Sequence, residues 1–287
     1  MAARPLTLIL ESKVFQMLPM CTADSRLEAS GVVIAGDHLL VVMDNLAQVA
    51  RIPLLPRPAF GLGGFVGELT TIGYEDITYD VEAKRYFLLR ETKPANHGFE
   101  SEVVEWDESF ARVGTWTLDF RFETENKGFE GIAWVRRGAD RWLLALCEGN
   151  LCRSGAPGRT PGGGRIQIYR HEPPVWTRHS ELALPASLPF EDYAGVALDG
   201  ENRIGVVSQA SSMLWVGEFD PGTWNWKDDG EVYAFPPTQK GNTRYFGIEG
   251  LAWLTPRRIV VVSDKAKKDD PPRASETDQS IHIFELP

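Results

Sequence analysis

Glu130-Gly131-Ile132-Ala133-Trp134, followed by RWLLALCEGN (141–150), is a short apolar strand, a polar turn and a second, longer apolar strand that closes on acidic and amide side chains. The same phrase recurs along the chain. Ser30-Gly31-Val32-Val33 leads to LLVVMDN, Glu75-Asp76-Ile77-Thr78 to RYFLLRE, Ala194-Gly195-Val196-Ala197 to RIGVVSQ, and Glu249-Gly250-Leu251-Ala252 to RRIVVVSDK. Strands this apolar on both faces lie between neighbouring sheets, as the inner strands of propeller blades do. Each unit continues into more alternating strands, such as VARIP, EVVEWD and RIQIYR in third position and ELTTI, GTWTLDF and WTRHSELAL in fourth.

The expected architecture is therefore all-β, a single β-propeller domain over residues 1–287 with five four-stranded blades. The fifth unit runs out after Ser280 to Glu285, one strand short, and the unassigned strand Leu6 to Glu11 can complete it. Pairing the N-terminal strand with the C-terminal blade closes the ring and leaves no open edge. The units are longer than the ~40–50 residues usual for propeller repeats, so the excess sits in loops. A β-sandwich is the competing architecture for short strands at regular spacing.

Composition narrows the function. Formal net charge is −10, with 40 acidic and 30 basic residues, which disfavours a nucleic-acid surface built on clustered Lys and Arg. No apolar run approaches the ~20 residues of a membrane helix, and the N-terminus shows no export signal. The three cysteines, Cys21, Cys147 and Cys152, suit a reducing compartment, with Cys147 and Cys152 as structural free thiols. The expectation is a cytoplasmic protein that binds neither nucleic acid nor membrane.

In a propeller the first strand of a blade begins, and the second ends, on the same face. Two sets of repeat positions thus converge at one mouth of the channel: Ser30, Glu75, Glu130, Ala194 and Glu249, and Asp44, Glu91, Glu148, Ser208 and Asp264, with Glu28 and Asp192 nearby. Carboxylates crowded at one opening need a cation, raised pKa values or basic partners. Glu28, Glu75, Glu130, Glu249 and Asp264 are the candidate metal ligands, and an all-oxygen set favours Ca²⁺ over Mg²⁺. The absence of a His pair or Cys cluster at repeat positions disfavours zinc and iron. The competing role for these glutamates is structural, accepting hydrogen bonds from backbone N–H groups of the next blade.

Three loops between second and third strands are long and emerge on this face: 92–101, 149–164 and 265–279. They supply Lys93, Asn150, Arg153 and Lys265, which with Arg244 are the candidate ligand-binding residues for a small anionic molecule. Glu130, Glu148 and His97 are the candidate catalytic groups, His97 being the one histidine placed to act as acid or base. GRTPGGGR lacks the ending and context of a phosphate-binding loop, and no Gly-x-Ser-x-Gly elbow occurs.

The phrases EASGVV, GFEGIAW with WLLALCEGN, and IEGLAW with IVVVSDK resemble the propeller superfamily of SdiA-regulated proteins and phytase-like esterase domains. The resemblance implies a propeller, calcium-dependent phosphoesterase chemistry in some relatives, and Glu75, Glu130 and Glu249 around a central cation. Ala194 departs from that pattern. The expected function is divalent-cation-dependent hydrolysis of small anionic esters, phosphate or carboxylate. The alternative is a non-catalytic propeller that binds a small molecule or a protein on the same face.

Overall fold

The computed structural model describes residues 3–54, 61–125, 127–172, 175–200, 202–220 and 222–287. Two N-terminal strands, β1 (Arg4–Pro5) and β2 (Thr7–Lys13), precede the repeats. Blade one is β3 (Ala29–Ala35), β4 (His38–Met43), β5 (Val49–Pro53) and β6 (Gly64–Val66). Blade two is β7 (Tyr74–Asp80), β8 (Arg85–Pro94), β9 (Phe99–Asp107) and β10 (Arg112–Thr117); blade three is β11 (Phe129–Arg137), β12 (Asp140–Cys147), β13 (Arg165–Glu172) and β14 (Val175–Ala183). Blade four is β15 (Gly195–Asp199), β16 (Arg203–Ser208), β17 (Met213–Glu218) and β18 (Glu231–Ala234); blade five is β19 (Ile248–Thr255), β20 (Arg258–Ser263) and β21 (Ser280–Glu285). These are the five blades expected, each antiparallel throughout.

Closure follows the expected route. Strand β2 pairs antiparallel with β21, from Thr7 opposite Glu285 to Lys13 opposite Ser280, and supplies the fourth strand of blade five. An addition was not foreseen: Arg4–Pro5 pairs parallel with β18, giving blade four a fifth strand. One N-terminal segment therefore stitches two blades together.

The repeated glycine marks the tightest radius of the ring, where each innermost strand meets the next. A Cβ on Gly195 would lie 2.2 Å from the Glu249 carbonyl oxygen, and one on Gly250 would lie 2.8 Å from the Gly31 Cα. Only hydrogen fits there. Blade two has Asp76 at this position, fully inside, and its two oxygens accept the N–H groups of Ile77 and of Ile132 in blade three, both at 2.8 Å. Pinning one blade to the next, the alternative role considered for the preceding glutamates, thus falls to Asp76.

Three details differ from the sequence-based expectation. ELTTI (68–72) is not a strand; the fourth strand of blade one is Gly64–Val66, which precedes it. The supposed long loop 92–101 is largely strand, because β8 and β9 continue past a register shift between Arg90 and Lys93 to a tight turn at residues 95–98. Cys147 and Cys152 are joined as a disulfide, Cα atoms 5.1 Å apart, rather than being free thiols, so the cysteine argument for a reducing compartment does not hold. Among the described residues no helix is long and apolar enough to cross a membrane.

Candidate functional site at the acidic mouth of the channel

The glutamates reach the channel because the strands that carry them are bulged. In β7, Tyr74 pairs with Arg90 and Asp76 with Leu89, so Glu75 has no opposite residue. The same slip leaves Glu130 unpaired in β11, Ser30 in β3, and Glu249 with Gly250 in β19. A bulge breaks the in-out alternation and re-aims one side chain. Blade four pairs regularly from Gly195 onward and presents Ala194 instead.

The result is a cavity of about 310 Å³ walled by nine carboxylates: Glu28, Asp44, Glu75, Glu91, Glu130, Glu148, Asp192, Glu249 and Asp264. Arg26 and Lys267 are the cations in its wall. Several acids are committed to fixed partners. Glu28 pairs with Arg26, Asp192 accepts the Ser208 hydroxyl at 2.6 Å and the Ala210 N–H at 3.0 Å, and Glu249 accepts the Gln209 amide at 2.8 Å. Glu148 pairs with Lys127 through one oxygen, while its Oε2 is buried without a hydrogen-bond partner, as is Oδ1 of Asp44.

Glu91, Glu130 and Glu148 each bring one carboxylate oxygen within 4.8 Å of the others. Glu91 also accepts the Gly128 N–H at 3.2 Å, while Glu130 faces the carboxylates of Glu75, Glu148, Glu91 and Glu249. Burial, then repulsion from neighbouring carboxylates, pushes Glu75, Glu130 and Glu249 well above the usual carboxylate range. Burial likewise raises Asp44 and Glu91 to about 7 and Asp264 to about 6. Protons or a cation must neutralise such a cluster, and its donors are hard oxygens, with no His or Cys among the lining residues. The residues present therefore fit a hard divalent cation.

Glu28, Glu75, Glu130, Glu148, Glu249 and Asp264 all share this cavity. The tightest trio, however, includes Glu91, which lies at the register shift within β8 and was not among the expected ligands. The other expected residues are placed elsewhere. His97 is exposed at the β8–β9 turn, and the Lys93 ammonium is held by Glu102 at 2.6 Å and Glu100 at 3.4 Å. Asn150 is fully buried, donating to the carbonyls of Gly158 and Phe190 and accepting from the Gly163 N–H and the Tyr193 hydroxyl, so it fastens a loop. Arg244 lies 3.5 Å from Glu11 at the ring closure, and Lys265 reaches the Ser25 carbonyl at 3.3 Å beside a cavity of about 210 Å³ that shares Gln209, Asp264 and Lys267 with the acidic mouth. Arg153 borders a cleft adjoining the acidic mouth.

The ring closure contains an array that the sequence did not reveal. The Ser263 hydroxyl lies 3.1 Å from Nε2 of His282, whose Nδ1 lies 3.1 Å from Glu11. This is the connectivity of a nucleophilic triad. Ser263 and His282 are fully buried, and Ser263 also contacts the Thr277 carbonyl at 2.6 Å, so the array seals β2 against β20 and β21 with no opening for a substrate.

No family model matches the chain, and no curated protein matches its sequence. Among solved structures, the chain is similar to a glutaminyl cyclase from Myxococcus xanthus, with TM-score 0.58 at 14% identity over 99% of this chain and 97% of that one. It is also similar to a calcium-binding protein, regucalcin, from Agrobacterium tumefaciens, with TM-score 0.53 at 10% identity over 99% and 95% of the two chains. At these identities the likeness is one of fold, and what the chain shares with both is the propeller.

Proposed function

We propose that the acidic mouth binds a divalent cation, Ca²⁺ in preference to Mg²⁺, and that the protein is a cation-dependent hydrolase of small anionic esters. The observation that carries this reading is the Glu91–Glu130–Glu148 trio, three carboxylates brought within 4.8 Å of one another by the bulge at Glu130, the end of β12 and the register shift in β8. Carboxylates at that spacing with an orphaned Glu148 oxygen leave a site that a hard cation satisfies. The calcium-binding description of the Agrobacterium neighbour, and the resemblance of the repeat phrases to phytase-like esterase propellers, agree with it.

Glu91, Glu130 and Glu148 would hold the cation, with Glu75 and Asp44 completing the negative wall. A bound divalent cation supplies Lewis-acid polarisation of the ester and a lowered pKa for water. The protein's own part is positional. Lys127 and Gly128 fix Glu148 and Glu91 by ion pair and backbone hydrogen bond. Asp44, with its pKa near 7, is poised to take or return a proton at neutral pH. His97, exposed on its turn, leaves the base role to these carboxylates.

The test is thermal unfolding in EDTA and after adding CaCl₂ or MgCl₂, together with elemental analysis of the purified protein. Calcium at 100 times its dissociation constant is expected to add about 2.7 kcal/mol. No stabilisation by either ion and no bound metal would sink the cation. If the cation binds but no phosphate or carboxylate ester is turned over, the non-catalytic binder is the surviving alternative.

A further inference from the structure

A second cavity of about 390 Å³ adjoins the acidic mouth, sharing Glu148, Asp192, Gln209 and Lys267 with its wall. Its outer side is the loop 149–164, which contributes Arg153 and Arg159. Neither guanidinium has a hydrogen-bond or ion-pair partner among the described residues, whereas Lys127 on the same rim is engaged by Glu148. Both arginines are exposed and line the cleft, open to an incoming anion.

The loop that holds Arg153 is built to a fixed shape. The Cys147–Cys152 disulfide ties its start to the end of β12, and the buried Asn150 binds both of its arms. Leu151 and Cys152 both adopt the left-handed conformation, at φ 57° and 52°, which non-glycine residues enter only when their surroundings impose it. The Arg153 carbonyl is enclosed by Gly149 and Gly158: a Cβ on either glycine would lie 2.0 Å from that oxygen. Arg153 therefore projects from a preset backbone, at little ordering cost when a ligand arrives.

We propose that this cleft is an oxyanion-recognition subsite, and that, on the hydrolase reading of the mouth, the substrates are bifunctional: a carboxylate or phosphate at one end, bound by Arg153 and Arg159, and an uncharged carboxylic ester at the other. Charge assigns the two ends. Guanidinium groups match the fork of a carboxylate or phosphate, while an added anion among nine carboxylates meets repulsion that a neutral ester does not. In the reaction the acyl C–O bond breaks and water supplies the new C–O bond. One water proton goes to the departing alkoxide, and the released acid ionises to give up the other.

Binding and turnover are tested separately. Inorganic phosphate and succinate are titrated calorimetrically into the full chain in EDTA, then into Arg153→Gln, Arg159→Gln and the double variant. The expected result is one-to-one binding of at least one anion, weakened about tenfold or more in the double variant. Phosphate-only, succinate-only or dual binding in the native protein tells which oxyanion the subsite takes. No binding of either, or equal binding by the double variant, overturns the subsite whatever becomes of the cation. For turnover, a chromogenic monoester of succinic acid is compared with the corresponding acetate ester in calcium. The double variant is expected to raise KM for the succinate ester about tenfold with kcat within about twofold, leaving the acetate ester unchanged. Equal effects on both esters would overturn the bifunctional substrate. If the native protein hydrolyses neither ester, the hydrolase reading fails and takes the bifunctional substrate with it, while the calorimetry alone decides the anion subsite.

Discussion

The two mouths of the channel are lined by the same five strands and share almost no chemistry. At one end bulges turn glutamates inward and nine carboxylates wall the opening. At the other, a cavity of about 410 Å³ is lined largely by apolar side chains, among them Val33, Ile34, Trp134, Leu198 and Trp253. There the blades lock to each other: the Trp134 N–H donates to the Thr78 hydroxyl at 3.0 Å, and the Trp253 indole donates to the Ala197 carbonyl at 3.2 Å. At the acidic mouth a slip in register turns Glu75, Glu130 and Glu249 toward the axis, where the other end of the same strands presents mainly apolar residues. Asp76, whose carboxylate accepts backbone N–H groups of two blades, contrasts with Glu130, which faces other carboxylates.

Removing the acid should have opposite consequences at these two positions. Asp76→Ala would leave the Ile77 and Ile132 N–H groups unpaired inside the ring, and urea unfolding is expected to show a loss of about 3 kcal/mol. A loss below about 0.5 kcal/mol would mean that Asp76 does not pin the blades. Glu130→Gln should instead leave stability in EDTA unchanged or raised, since it relieves repulsion from Glu75, Glu148 and Glu91. The same variant should lose the calcium stabilisation of about 2.7 kcal/mol expected of the native protein. Retention of the full calcium shift would remove Glu130 from the site.

A smaller effect is expected at the loop. Replacing Cys147 and Cys152 by Ser opens a short covalent loop, worth about 2 kcal/mol or less. Calorimetry should show weaker phosphate or succinate binding with calcium affinity nearly unchanged, because Arg153 loses its tether and Glu130 does not. Anion affinity equal to that of the native protein would show that Asn150 and the glycines suffice.

The mildest test is pH. Asp44 and Glu91 titrate near 7 in the folded protein, above their unfolded values, so the folded state holds more protons and the cation-free protein loses stability as pH rises from about 4 to 7. His282, whose pKa is lowered by burial, works in the opposite sense below about 6.5, but it is one group against several. In EDTA the melting temperature is expected to fall by a few degrees between pH 5.5 and 8. Calcium should abolish most of that fall, since it binds the deprotonated carboxylates. A rise with pH in EDTA would contradict the clustering of raised pKa values.

Much of this was legible in the repeat. The Gly-Ile-Ala phrase marked the innermost strands, the missing fourth strand of the last unit pointed to Leu6–Glu11, and the polar strand ends mapped one face. What stayed hidden depends on pairing register or on the third dimension. Repeat position set Glu91 and Glu148 at the same mouth as Glu130, but a bulge is invisible until both strands are in place, so their approach to within 4.8 Å was not legible. Asp76 did carry a signal, as the one non-glycine among five equivalent positions, and a carboxylate at so tight a radius must bond to something. The four residues between Cys147 and Cys152 close into a disulfide because Leu151 and Cys152 turn left-handed, which their side chains do not announce. Lys93 and His97 were misplaced because β8 runs on through Pro94.

The closure at β2 also sets an order of events during synthesis. Glu11 meets His282 across 271 residues of chain, and Arg4–Pro5 waits for Glu231–Ala234. Until residue 285 leaves the ribosome, β21 is missing from between β20 and β2 and the facing edges of both stay open, so the ring closes late, through the long-range pairing that slows folding.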